Sequence, residues 1–131
     1  MPLIKHHWEL DVHKLAMEMS GKVFHLSKTF PREEMYSLTD QIRRSSRAVS
    51  AMIAEGWRRR KYEAAFVDKL NQAEAEAAET QTWLGHAVQC GYVPVVEARN
   101  LHRLCDRILG KLVTMGNDPG KWTLKKSLAP Q

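Results

Sequence analysis

The chain has only two cysteines, Cys90 and Cys105, and no Cys-x-x-Cys pair. A disulfide-stapled fold is not indicated, and both read as buried small hydrophobes in a reducing compartment. No apolar run approaches the ~18–20 residues needed to span a bilayer. The opening stretch, MPLIKHHWELD, lacks the apolar h-region of a signal peptide. A cytoplasmic protein with no membrane partner is therefore expected. No stretch alternates apolar and polar residues with period two, so no sheet is expected either. There is no internal repeat, low-complexity tract or interdomain linker.

Catalytic and metal-binding patterns are equally scarce. Glu55 has no second acid, histidine or nucleophile patterned with it, and reads as a member of an ion pair. Ser45 and Ser46 have no general base placed for them and read as small packing residues. His86 with Cys90 and His102 with Cys105 have helical spacings that suggest a tetrahedral zinc site. Measured from the 91–94 turn, however, His86 and Cys90 sit ~0–8 Å along one helix and His102 and Cys105 ~12–17 Å along its partner. The four do not meet. No Glu-x-x-His pair exists, which argues against a ferritin-like di-metal centre. A non-enzymatic protein without metal or cofactor is the expectation.

What is present is helical. A chain of 131 residues, 44% hydrophobic and 27% charged, suits one soluble domain with its own core. Asp11 is placed to cap a helix running to about Lys28 on Val12, Leu15, Ala16, Met19, Val23 and Leu26. Phe30-Pro31 ends it, and a second helix starts either there or after a break near Ser37 to Thr39. A third, Tyr62 to Cys90, turns Phe66, Leu70, Ala73, Ala77, Thr80, Leu84 and Ala87 inward. Gly91 and Pro94 mark its end. A fourth, Pro94 to Met115, uses Leu101, Leu104, Cys105, Ile108, Leu112 and Met115. These predict an all-α, up-and-down antiparallel four-helix bundle over residues 11–116, with an N-terminal lead (1–10) and a basic C-terminal tail (117–131). In that tail Trp122 and Leu124 are possible packing handles.

The organising stretch is Leu38 to Lys61, LTDQIRRSSRAVSAMIAEGWRRRK. Its apolar stripe runs through Leu38, Ile42, Val49, Met52, Ile53 and Gly56, and its other face is cationic. The candidate nucleic-acid-binding residues are Arg43, Arg44, Arg47, Arg58, Arg59, Arg60 and Lys61, with Trp57 as a base-stacking aromatic and Lys125 and Lys126 of the tail as additions. Guanidinium groups hold phosphate bidentately, and an array of them gives salt-sensitive, sequence-tolerant affinity. A net charge of +5 fits such a ligand. The competing reading is structural. Residues 31–61 carry eight basic and four acidic residues, residues 62–90 one basic and five acidic. These opposite charges can attract within one molecule or between copies, with Arg43 and Arg44 pairing Glu55 or a neighbouring subunit. Surface pairs are worth only ~0–1 kcal/mol each, so they set orientation rather than drive assembly.

The signature resembles the four-helix bundle family encoded within intervening sequences of bacterial large-subunit ribosomal RNA genes. Gln41-Ile42-Arg43-Arg44 and Ile53-Ala54-Glu55-Gly56 are its most recognisable words. Leu10-Asp11-Val12 with Ala16, Phe30-Pro31 with Glu34, Tyr36 and Leu38, then Phe66, Leu70, Ala73 and Gly91-Tyr92-Val93 extend the match to about residues 8–115. The sequence departs at Ala48-Val49-Ser50-Ala51-Met52, where relatives carry a proline and an asparagine, so the second helix should be straighter here. The resemblance implies a homopentameric ring. Through the related accessory variability protein of diversity-generating retroelements, it also implies RNA or DNA and a reverse transcriptase as partners. The alternative is an interaction and assembly module whose charges serve subunit contacts alone.

Overall fold

A computed structural model describes residues 3–124. It contains four α-helices: α1 (Asp11–Ser27), α2 (Leu38–Arg58), α3 (Glu63–Gln89) and α4 (Val95–Asn117). Single 3-10 turns precede α1 (His7–Glu9), lead into α2 (Arg32–Glu34) and follow α4 (Pro119–Lys121). No strand occurs among the described residues. Each helix packs on its chain neighbours, and α1 closes the bundle against α4. The α2–α3 seam is the most extensive and the α1–α4 seam the thinnest.

The connections explain the helix ends. Leu10, not Asp11, is the residue before the first helix; Asp11 instead places its charge in the first turn, where the helix dipole favours it. The second helix starts after the break, because residues 32–34 form their own turn. Glu34 holds that connection together. Its carboxylate accepts bonds from the Ser37 hydroxyl (2.6 Å) and from the Tyr92 hydroxyl (2.8 Å), tying the first connection to the α3–α4 turn. These bonds, Ser37 foremost, lower the Glu34 pKa, and the same contact pushes Tyr92 up to about 12.

Gly91 terminates α3 with φ +75°, a left-handed geometry that glycine adopts without strain. Its N–H donates to the Val88 carbonyl and that of Tyr92 to the Ala87 carbonyl, the two bonds of a Schellman motif. Two of the orphan carbonyls at this helix end, those of Ala87 and Val88, are thereby satisfied.

The core follows the predicted stripes. All seven α3 positions and all six α4 positions are buried, joined by Ala98. Met52, Leu15 and Leu26 lie at the margin rather than inside. One polar contact crosses the interior: the hydroxyls of Ser45 and Thr80 are 2.9 Å apart, bridging α2 and α3. The Thr80 hydroxyl also donates to its own helix backbone at Glu76, which leaves Ser45 as the donor of the bridging bond, so neither is left unsatisfied. Both cysteines are free thiols; burial pushes Cys105 up to about 12, so it stays protonated, while Cys90 is exposed.

His13 is a buried titratable group that the sequence pattern did not flag. It packs edge-on against His7 at 4.9 Å, and burial, aided by His7, lowers its pKa. The folded chain thus holds the imidazole neutral, while the unfolded chain takes up the proton near pH 6.5. Stability should be flat above that pH and fall as pH drops below it. A His13→Gln variant, followed by thermal melts between neutral and mildly acidic pH, should show a shallower acid slope. An unchanged slope would assign the acid sensitivity elsewhere.

Candidate nucleic-acid interface

The cationic residues of α2 separate into three groups. Arg43 and Arg47 lie on the α1 side, their guanidinium carbons 4.9 and 5.6 Å from the Phe24 ring centre. Lys28 approaches the same ring at 4.7 Å. Arg43 is half-buried, with Nε donating to the Ser27 hydroxyl at 2.7 Å. Arg47 is exposed. Eleven residues separate it from Arg58, about 16 Å along nearly the same line of the helix. Arg44 points elsewhere and pairs with Asp40 one turn back, at 3.0 Å.

Within the chain, Arg43 and Arg44 do not make the expected pairing with Glu55. Glu55 meets Lys69 at 3.9 Å, not Arg43 or Arg44. That contact is the one salt bridge between α2 and α3 among the described residues, and its polarity is the reverse of the helices' overall charges. No α2 arginine pairs with an acid of α3. Glu74 and Glu76 on α3 instead have pKa values raised by desolvation, with Glu79 adding to the effect at Glu76.

The third group sits at the end of the bundle where α2 stops. Trp57 does not serve as an exposed stacking surface there: its side chain is buried, at 4% exposure. Its Nε1 donates to the Lys5 carbonyl (3.1 Å), its ring meets Trp122 edge-on at 6.5 Å, and the Arg60 guanidinium lies 3.6 Å from its ring centre. A buried tryptophan needs a partner for its N–H, and the N-terminal lead supplies it. Arg60 also donates from Nε to the Trp57 carbonyl, and its own carbonyl accepts from the Leu124 N–H. Burial, with Arg58 adding to it, lowers the Arg60 pKa. Arg60 is thus a packing residue as much as a surface charge.

Arg58, Arg59 and Lys61 remain exposed, and none makes a salt bridge among the described residues. Lys61 sits over the exposed Tyr62 ring at 5.8 Å. The fold adds Lys5 of the lead and Lys121 after α4, both exposed, to this end. Two of the nearby acids are engaged: Glu9 accepts the backbone N–H groups of Lys5 and His6, and Glu55 holds Lys69, while Glu63 and Asp118 are exposed. The lead and Lys121 escaped sequence analysis because only the folded chain carries them to α2. Lys125 and Lys126 lie outside the described residues.

The rest of the surface offers less chemistry. Open hollows of about 650 and 690 Å³ flank the α1–α4 seam, one against Leu10, Met115 and Trp122, the other against Leu26, Tyr92 and Leu101. Among the described residues, no three His, Cys, Asp or Glu side chains gather where a metal could bind. No described helix is long and apolar enough to cross a membrane.

A family model described as "23S rRNA-intervening sequence protein" matches residues 8–114. The chain belongs to that family. The matched span takes in all but the last residues of α4 and leaves out the lead before Trp8 and the 3-10 turn at Pro119–Lys121. The basic end is thus built partly from family framework, at Arg58 to Lys61, and partly from flanking residues. A crystal structure of a protein of unknown function from the S23 ribosomal protein family of Bacteroides thetaiotaomicron is similar, with a TM-score of 0.72 and 26% identity. The match covers 79% of this chain and 96% of that one. No curated protein matches.

Proposed function

We propose that this 23S rRNA-intervening sequence family member is a non-enzymatic scaffold that binds RNA or single-stranded DNA through the basic end of its bundle. The observation that carries this reading is the exposure of Arg58, Arg59 and Lys61 without an acidic partner among the described residues, beside Lys5 and Lys121. Unpaired surface cations cost little to bring to phosphate, because no existing ion pair has to be broken. Arg47 extends the same charge along α2. The reading includes self-assembly into a ring, five copies by family resemblance, and a reverse transcriptase as the protein it would serve.

A second reading is favoured by α3. Among the described residues its acids do not neutralise α2, and Glu74 and Glu76 are partly desolvated with no salt-bridging cation. Charges left over in one molecule suit contacts between copies, where a basic patch on one meets an acidic patch on the next. On this reading the chain is an assembly module with no nucleic-acid role.

The two separate in one experiment. Fluorescence anisotropy with labelled RNA and single-stranded DNA, run alongside sedimentation for mass, should show micromolar or tighter binding by an oligomer at low salt. An intact oligomer that binds neither would leave the assembly reading standing and remove the first.

A further inference from the structure

The lead that closes over Trp57 presents a second aromatic outward. Trp8 is 55% exposed, and the His6 ring lies flat against it, with centroids 4.2 Å apart and planes 6° from parallel. This pair is held rather than trailing. The Glu9 carboxylate accepts the backbone N–H groups of both Lys5 (2.9 Å) and His6 (2.7 Å). The Lys5 carbonyl is in turn fixed by the indole of Trp57. His7, edge-on to Trp8 at 5.1 Å, lines a hollow of about 270 Å³ with Ala54, Glu55, Arg58 and Arg59. The stacked pair therefore stands next to the unpaired arginines.

We infer that Trp8, backed by His6, is a base-stacking platform that gives the basic end a preference for single-stranded over duplex nucleic acid. The inference rests on the nucleic-acid reading above and adds to it the residue that recognises an unpaired base. Arginines at this end neutralise phosphate on any strand and carry no such preference. A flat aromatic surface changes that. Bases in a duplex are already stacked on both faces, while an unpaired base gains a new contact on an indole. The His6 ring occupies one face of the indole and limits the rotamers open to Trp8, so less freedom is lost when a base stacks on the face that His6 leaves. Trp57, chosen for this role from sequence, is covered; Trp8 lies in the same corner and is open.

The test compares wild type, Trp8→Ala and Trp8→Phe on a short labelled oligouridine and on an RNA duplex of matched length, at one low salt concentration. Trp8→Ala should weaken the single strand about tenfold, leave the duplex unchanged, and be largely rescued by Trp8→Phe. Equal binding of the single strand by wild type and Trp8→Ala, or equal losses on both ligands, would overturn the platform while leaving the phosphate contacts in place. Binding of neither nucleic acid by wild type would remove both proposals together. If Trp8→Ala melts early, His6→Ala serves for the same comparison, with a smaller selective loss expected and no selective loss overturning the inference.

Discussion

A Gly56→Leu variant should lose about 3 kcal/mol of stability through overpacking, a fall of roughly 10 °C in melting temperature for a domain of this size. Gly56 is buried where α2 crosses α3. A Cβ built there would stand 3.1 Å from the Lys69 Cβ and 3.6 Å from the Phe66 carbonyl oxygen. Both atoms belong to, or are fixed by, the α3 backbone, so they cannot swing aside as a side-chain tip would. A leucine would have to push the helices apart at their most extensive seam and strain the Glu55–Lys69 contact beside it. Gly56→Ala is the control. Its single methyl meets the same close contact but recovers about 1 kcal/mol of helix propensity, leaving it near wild type. Thermal melts of the three proteins decide the matter. A Leu variant as stable as wild type would mean that the seam is looser than the contacts require.

The second large effect is on binding. Replacing Arg58, Arg59 and Lys61 together with alanine should weaken single-stranded RNA roughly 100-fold at about 0.1 M salt, from three lost phosphate contacts. All three are exposed, so the melting temperature should barely move. Arg60 is left out because it covers Trp57; its removal would disturb the packing of the bundle end. Arg44 is a useful internal comparison. It already pairs with Asp40, so Arg44→Ala should change RNA affinity much less than loss of Arg58 or Arg59. Anisotropy titrations with a melt of each variant would check this. Undiminished affinity in the triple variant would move the interface elsewhere.

The helical framework could be read from the sequence because it is local. Phe66, Leu70, Ala73, Ala77, Thr80, Leu84 and Ala87 repeat with the period of a helix, and all are buried. Gly91 and Pro94 mark a turn by backbone chemistry alone. The basic end was legible only in part. Arg58, Arg59 and Lys61 are consecutive or nearly so, and a charge run declares itself. The fate of Trp57 did not, because what buries it comes from Lys5 and Trp122, far away in the chain. Glu55 does form an ion pair, as its sequence context suggested, but not with Arg43 or Arg44: its partner Lys69 lies on the next helix, whereas Arg44 has Asp40 one turn away. His6 and Trp8 carry no periodic signal, and their significance comes from the corner to which the fold brings them.

The exposed cations closing α2 are proposed to contact phosphate. The dependence of RNA affinity on salt, measured for wild type and the Arg58/Arg59/Lys61 triple variant side by side, tests it most directly. On a double-logarithmic plot wild type should fall steeply, and the triple variant should be shallower by about 2 units of slope, near 0.7 for each charge removed from a single strand. Parallel lines for the two proteins would contradict the account, since cations that hold phosphate cannot be removed without changing the number of ions released.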